Sequence, residues 1–281
     1  MTRQKNAAWT PSNMTSTRKV IVFLPAHNEE ASIGEVLKRI PRRFDARVTV
    51  ETLIIDDGST DRTVERALAA GADHVLSLPV NGGLGAAVRH GLKESVRLGA
   101  DVVIMIDADN EYPADQIPEL LSPIFAGQAD YTMGSRFMGT IDGMKLYRRL
   151  GNYFFTALQA ILLRRIITDG QSGMRAFTRS AAEAAEIIHD YNYAQVLTLN
   201  LLRKGFRLAE IPIRYRFRTE GRSFISIAYI GKVLPAIWKE LRRPVEIGKE
   251  RDRADVSLPE YPLPKGEPAL SAACSQRPAI S

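Results

Sequence analysis

Residues 102–106, Val-Val-Ile-Met-Ile, are apolar without a break and run directly into Asp107-Ala108-Asp109. Such a run lacks the alternation of a half-solvated strand. It suits a strand covered on both faces, as in a parallel sheet between two layers of helices. Residues 20–24 have the same character, residues 52–55 read as a second strand, and residues 74–78 as a short third one. Between them lie helical patterns. Ile33, Leu37 and Ile40 recur at helical spacing before Pro41, and Val64 and Leu68 lie on a helix that Gly71 ends and Ser59 or Thr60 caps. Residues 83–98 form another helix before Gly99. The first half is thus an α/β sandwich with a mainly parallel central sheet flanked by helices.

In such sheets ligands bind beyond the carboxyl ends of the strands. The segments that follow the strands are all polar: His27-Asn28-Glu29, Asp56-Asp57, Asn81-Gly82-Gly83 and Asp107-Ala108-Asp109. They are expected to converge on one crevice.

Two carboxylates one residue apart at the end of a buried strand repel each other and are partly desolvated, which costs stability. A divalent cation resolves the conflict, because Mg2+ and Mn2+ are commonly held by one or two carboxylates and substrate phosphates. Asp107, Asp109 and the nearby Glu111 are the candidate metal ligands. The glycines of the 81–91 segment, Gly83 and Gly85 among them, permit close backbone approach just before a helix, where a phosphate is welcome. Plain turn chemistry is the alternative. Asp57 is placed to accept hydrogen bonds from a base or ribose, and Asp61 sits where a negative charge favours the helix dipole.

The second half is less regular. Helices are expected over residues 149–167, 181–189, 194–204 and 227–241, and a Pro-rich tail follows residue 243. The one cysteine of the chain, Cys274, lies in that tail, so neither a disulfide framework nor a cysteine metal cluster is available. Residues 1–19 are polar and basic and do not read as a secretory signal. No run reaches the roughly 20 apolar residues of a bilayer span. The nearest, residues 153–163, is interrupted by Thr156 and Gln159 and closed by Arg164 and Arg165, so the chain can touch a membrane without spanning it.

The net charge is +6, and residues 201–243 hold eleven Lys or Arg against three acids. That excess is a solvated face, a contact for an anionic membrane, or a site for a phosphate-bearing substrate. Nucleic acid is not expected, since no stacking-aromatic or helix-turn-helix pattern accompanies the charge. Ile227, Ile230, Leu234, Ile237 and Leu241 make an apolar stripe edged by Lys232, Lys239, Arg242 and Arg243. It suits a helix lying among lipid headgroups, or equally one packed on the core or on a partner.

Taken together, LPAHNEE (24–30), DDGSTD (56–61), GGLGAAVRHG (82–91), DAD (107–109), GSR (134–136), DGQSGMRAF (169–177), AEIPIRYR (209–216) and GRS (221–223) resemble the family-2 glycosyltransferases of GT-A fold. The pattern is most similar to the dolichol-phosphate mannosyltransferase and polyprenyl-phosphate glycosyltransferase branch. The resemblance covers residues 19–243, with a nucleotide-sugar half to residue 135 and an acceptor half from 136, between tails 1–18 and 244–281.

What the resemblance implies is an inverting hexosyl transfer from a GDP- or UDP-sugar to a polyprenyl phosphate. The protein would work peripherally at the cytoplasmic membrane face, alone, as a homo-oligomer or with a small membrane partner. Pro25, His27, Glu29 and Asp57 would line the nucleoside pocket. Asp107 and Asp109 would meet the diphosphate and its Mg2+ or Mn2+. Arg136, Arg148 and Arg175 would face donor or acceptor phosphates, and Asp169 would act as a base or orienting group, its plainer alternative being a turn cap. The chain departs from the pattern at Glu111, where Gln is common, at Leu197, where Glu often follows the Gln195 position, and at Phe224, where Lys is common. A hydroxyl acceptor on a glycan, glycolipid or metabolite, and a non-catalytic nucleotide-sugar-binding subunit, are the competing expectations.

Overall fold

The computed structural model describes residues 17–190, 193–217 and 227–244. The expected tails fall almost wholly outside the described residues, as do residues 221–223 and Phe224.

Strands β1 (Arg18–Ala26), β2 (Val48–Asp56), β3 (His74–Ser77), β4 (Val102–Ile106), β5 (Tyr131–Asp142), β6 (Met174–Thr178) and β7 (Leu208–Arg216) build one sheet. Its order is β3-β2-β1-β4-β6-β5-β7. β1 pairs in parallel with both β2 and β4, β5 with β7 likewise, and only β6 runs antiparallel to its neighbours. The expected mainly parallel sheet is present. It continues through the second half, where the irregular pattern had suggested no strand, and the boundary at 135/136 falls inside β5.

Side chains alternate by twos across the sheet. Val102, Ile104 and Ile106 join one core and Val103 and Met105 the other, all nearly or wholly out of solvent. At about 1.5–3 kcal/mol for a buried aliphatic side chain, this is why the strand carries no polar residue until it ends. The first core is closed by α1 (Ile33–Arg39), α2 (Thr63–Ala69) and α4 (Ile117–Phe125). The second is closed by α3 (Leu84–Arg97), α6 (Arg179–Ala184) and α7 (Ala194–Arg203). Leu197, where the resemblance had set a glutamate, is wholly buried in this second core.

Helix α2 starts later than expected. Ser59 and Thr60 stay in the preceding turn, and Asp61 accepts the Thr63 amide at 2.9 Å. Helix α6 stops at Ala184, well short of residue 189. Helices α5 (Leu146–Leu163) and α8 (Ile227–Arg242) meet α7 in a small third cluster of Phe155, Leu199 and Ile237, with Leu241 against it. Those two members of the α8 apolar stripe thus turn to the core, while the side chains of Ile227, Ile230 and Leu234 lie outside those described. Among the described residues no helix is long and apolar enough to cross a membrane.

Candidate active site

The strand order reverses direction at β1 and β4, so the loops after these strands lie side by side at the carboxyl edge, where a doubly wound sheet opens a crevice. After β1, exposed His27 donates from Nδ1 to the backbone carbonyl of Asp57 at 2.9 Å, which leaves Nε2 to accept from the Asn28 side-chain Nδ2 at 3.2 Å. Asn28 takes a left-handed φ of 55°, tolerable for asparagine, and its side-chain oxygen accepts the Thr60 amide at 2.9 Å. Glu29 is half-buried and accepts from the Ser32 hydroxyl at 2.8 Å, while Pro25 is buried in the strand. The residues expected around a nucleoside therefore stand together at one end of β1 and β2, with His27 the most open of them.

Asp57 has a more internal task than expected. It is only 4% exposed, and its two carboxylate oxygens accept the amides of Gly82 and Gly83 at 2.7 and 2.8 Å. It holds the glycine loop in place. The next amides of that loop are also committed: Gly85 and Ala86 both donate to the carbonyl of Asp190, and Arg89 pairs with the Asp190 carboxylate. A Cβ at Gly85 would stand 2.8 Å from the Asp190 carbonyl oxygen. The amino end of α3 is thus filled by backbone from beyond α6. The Gly83 and Gly85 amides, expected near a phosphate, are engaged within the fold, and glycine allows close approach of two chain segments.

Asp107 and Asp109 follow β4 at the carboxyl edge of the sheet, each half-buried. The Oδ1 of Asp107 is shut off from solvent and finds no hydrogen-bond partner among the described residues. Burial, then the like charges of Asp109 and Glu111, push the Asp107 carboxyl well above the usual carboxylate range, and Arg175 and Arg136 pull it only partly back. An orphaned carboxylate oxygen beside a second acid fits a divalent cation whose remaining ligands come from a diphosphate.

Glu111, the third expected ligand, has a partner within the fold. Among the described residues no three acids or histidines gather to hold an ion, and the Glu111 carboxylate accepts instead from the Tyr215 hydroxyl. Glu111 is 9% exposed and Tyr215 packs edge-on against Tyr112, so the acid is drawn into a tyrosine cluster.

The arginines separate into two kinds. Arg175 is wholly buried: Nε donates to the Ser172 carbonyl at 2.8 Å, Nη2 to the Gly170 carbonyl at 3.1 Å, and Nη1 to Tyr131, Thr198 and the Ala194 carbonyl. Arg136 donates from Nε and Nη2 to the two oxygens of Asp169 at 2.6 and 2.7 Å, and its amide adds a third bond at 3.0 Å. Arg136 is 5% and Asp169 0% exposed. Burial works against the Arg136 charge, but Tyr112 and Asp169 more than offset it and its pKa stands raised. Arg175, Arg136 and Asp169 thus have most of their hydrogen-bonding capacity engaged within the fold. Arg148 differs. It is half-buried, lies over the Phe217 ring at 4.5 Å, and its Nε has no partner among the described residues.

Three contributors were not singled out as site residues, although Glu210 stands within the 209–216 motif. Tyr112 accepts the Gly173 amide at 2.7 Å and thereby sets the backbone against Asp107. Glu210 accepts the amides of Thr168 and Asp169 and fixes the loop that carries Asp169. Asp190 fills the α3 amino end. Only the short spacing of Tyr112 from the acid pair hinted at its place.

The family model described as Glycosyl transferase family 2 matches residues 21–185. The dolichyl-phosphate hexose transferase of Haloferax volcanii is 33% identical over 226 residues, covering 79% of this chain and 94% of that protein. The polyprenol monophosphomannose synthase of Mycolicibacterium smegmatis is 28% identical, covering 80% and 87%. The solved structure of glucosyl-3-phosphoglycerate synthase from Mycobacterium tuberculosis in complex with Mn2+ and UDP-glucose superposes with a TM-score of 0.62 at 24% identity, covering 82% and 81%, a likeness of fold.

Proposed function

The chain belongs to glycosyl transferase family 2, and from that premise we propose that it moves a hexose, with inversion, from a GDP- or UDP-sugar to a polyprenyl phosphate at a membrane surface. Asp107 and Asp109 would hold Mg2+ or Mn2+, and an ion bound there offsets the charge on the departing nucleoside diphosphate. The loops of His27, Glu29 and Asp57 would seat the nucleoside, and the half-buried Arg148, whose Nε has no partner among the described residues, would meet the acceptor phosphate.

The observation that carries the acceptor class is the state of Asp169. A hydroxyl acceptor needs a carboxylate to take its proton, whereas a phosphate monoester is already an anion. The acid expected as base is wholly buried and held by three bonds from Arg136. That arrangement favours an acceptor needing no base, in line with the lipid-phosphate acceptors in the relatives' names.

The test is transfer of radiolabel from GDP-mannose, UDP-glucose and UDP-N-acetylglucosamine into an organic-extractable product, with polyprenyl phosphate supplied and with Mn2+ or a chelator. Labelled lipid phosphate formed only with metal is expected. Label passing instead to a water-soluble hydroxyl acceptor, and none to the lipid, would sink the acceptor reading. The phosphoglycerate-glucosylating enzyme of the same fold makes this the second arm to run.

A further inference from the structure

The carboxylate of Glu111 belongs to the same short segment as the acid pair, yet another strand claims it. The chain turns at Asn110, where φ is a left-handed 63°, and Arg39 donates to the Asn110 side-chain oxygen at 2.8 Å. Beyond that turn β7 takes hold of Glu111 twice. The Glu111 backbone carbonyl accepts the Arg216 amide at 3.1 Å, and its carboxylate accepts the Tyr215 hydroxyl. Tyr215 is itself fixed. It is 5% exposed, stands edge-on to Tyr112 at 5.3 Å, and has the Arg136 guanidinium over its ring at 5.2 Å. Glu111 nevertheless remains a near neighbour of the pair, since its amide donates to Asp109 Oδ1 at 3.1 Å and its charge is felt at Asp107.

We propose that Tyr215 is a positioning residue that withholds Glu111 from the cation held by Asp107 and Asp109, and so reserves coordination positions for the diphosphate. Mg2+ and Mn2+ sites of this kind use one or two carboxylates and leave the other positions to substrate phosphates and water. A third carboxylate would occupy one of those positions. It would also add a charge that keeps the ion when the nucleoside diphosphate departs. The hazard is particular to this chain, which carries an acid where the resemblance had set a neutral glutamine. A buried carboxylate must find a donor, and a hydroxyl hydrogen bond to an ionised acid is among the stronger ones. Tyr215 supplies that donor on the side of β7, and its packing on Tyr112 and Arg136 keeps the donor there. The assignment rests on the metal-dependent reading above and sets Glu111 beside the ion rather than on it.

The experiment is titration of Mn2+ into the full chain without nucleotide, read by the paramagnetic resonance signal of the free ion and by water-proton relaxation. Wild type, Tyr215→Phe, Glu111→Gln, Asp109→Asn and the double variant Tyr215→Phe/Glu111→Gln are compared, each checked for its melting midpoint. Removing the hydroxyl keeps the ring and frees the acid. Tyr215→Phe is expected to bind Mn2+ at least about tenfold more tightly than wild type. Its relaxation enhancement should fall, because the added carboxylate displaces water from the ion. Glu111→Gln should bind much as wild type does, and adding it to Tyr215→Phe should cancel the gain. No gain in Tyr215→Phe overturns the proposal. So does a loss in Glu111→Gln as deep as that in Asp109→Asn, which would put Glu111 on the ion in the wild type. The Glu111→Gln arm decides by itself if the tyrosine variant does not fold. Wild-type Mn2+ binding by Asp109→Asn removes the metal assignment itself, and the proposal with it.

Discussion

The α-carbon of Gly173 lies against the carboxylate of Asp107. A Cβ built there would meet Cγ at 2.5 Å and Oδ1 at 2.9 Å, with Oδ2 nearer still. The strand register makes this unavoidable, because Ile106 pairs with Met174 in the antiparallel β4–β6 ladder and the next residues on each strand meet just beyond it. The Tyr112 hydroxyl then pins the Gly173 amide at 2.7 Å. A side chain is absent at residue 173 so that the acid can sit where it does.

Gly173→Ala should therefore cripple transfer without unfolding the protein. A displacement of about 1 Å at reacting groups costs on the order of 10²-fold in rate, and a loss of that size in kcat/KM is expected with an unchanged circular dichroism spectrum. Activity within about twofold of wild type would show that the position of Asp107 is not critical. Tyr112→Phe should act in the same direction but more weakly.

Asp107 carries a charge at a cost to the fold. Its folded pKa is raised by burial and by Asp109 and Glu111, so the metal-free protein loses stability as pH rises through that value. Asp107→Asn removes the charge. The variant should melt higher than wild type at neutral pH in the presence of a chelator, by roughly 2–4 °C for each kcal/mol relieved in a chain of this size. The gain should shrink as pH falls, and transfer should be abolished. A lower midpoint at neutral pH would contradict the electrostatics described.

Asp169→Asn leaves Arg136 charged, buried and without its carboxylate partner. Breaking a pair of this kind costs about 3–5 kcal/mol, so a large drop in urea midpoint is expected alongside the loss of activity. A free catalytic base would behave otherwise, with activity lost and stability kept.

Arg148→Ala should show the reverse. The Arg148 Nε makes no hydrogen bond among the described residues, so the melting midpoint should hold. The kcat/KM for lipid phosphate should fall by roughly 10–100-fold, equivalent to about 1.5–3 kcal/mol for a charge-assisted bond, with Arg148→Lys restoring part of it. An equal fall in stability would make Arg148 one more scaffold arginine.

The legible parts of the chain were those in which local pattern and burial coincide. Strands β1 and β4 announce themselves as unbroken apolar runs and β2 by its apolar residues 53–55, and the residues after them must reach the carboxyl edge because a parallel sheet leaves them nowhere else. β6 and β7 gave no such sign. β6 carries the buried charge of Arg175, and β7 alternates buried with open residues at the sheet's edge and includes Pro212.

Side-chain roles were harder to read than strands. Arg136, Arg148 and Arg175 look alike as letters, and all three invite a phosphate. Which of them is free depends on partners such as Asp169, Tyr131 and Thr198, brought in by the fold from 33, 44 and 23 residues away. The glycine loop shows the same limit, since the carbonyl that its amides meet belongs to Asp190. Residues 153–163 read only as an apolar run interrupted by Thr156 and Gln159, and which face of α5 points inward was not legible.

From the order of apolar runs and acids alone, the chain was bound to form a mainly parallel sheet with a carboxylate-rich crevice at one edge, because alternation and burial act over a few residues. Which charges face that crevice, and which are consumed beneath it, was decided by tertiary contacts. The reason is that a buried charge is stable only beside its counter-ion and its hydrogen-bond partners, and only the folded chain brings those together.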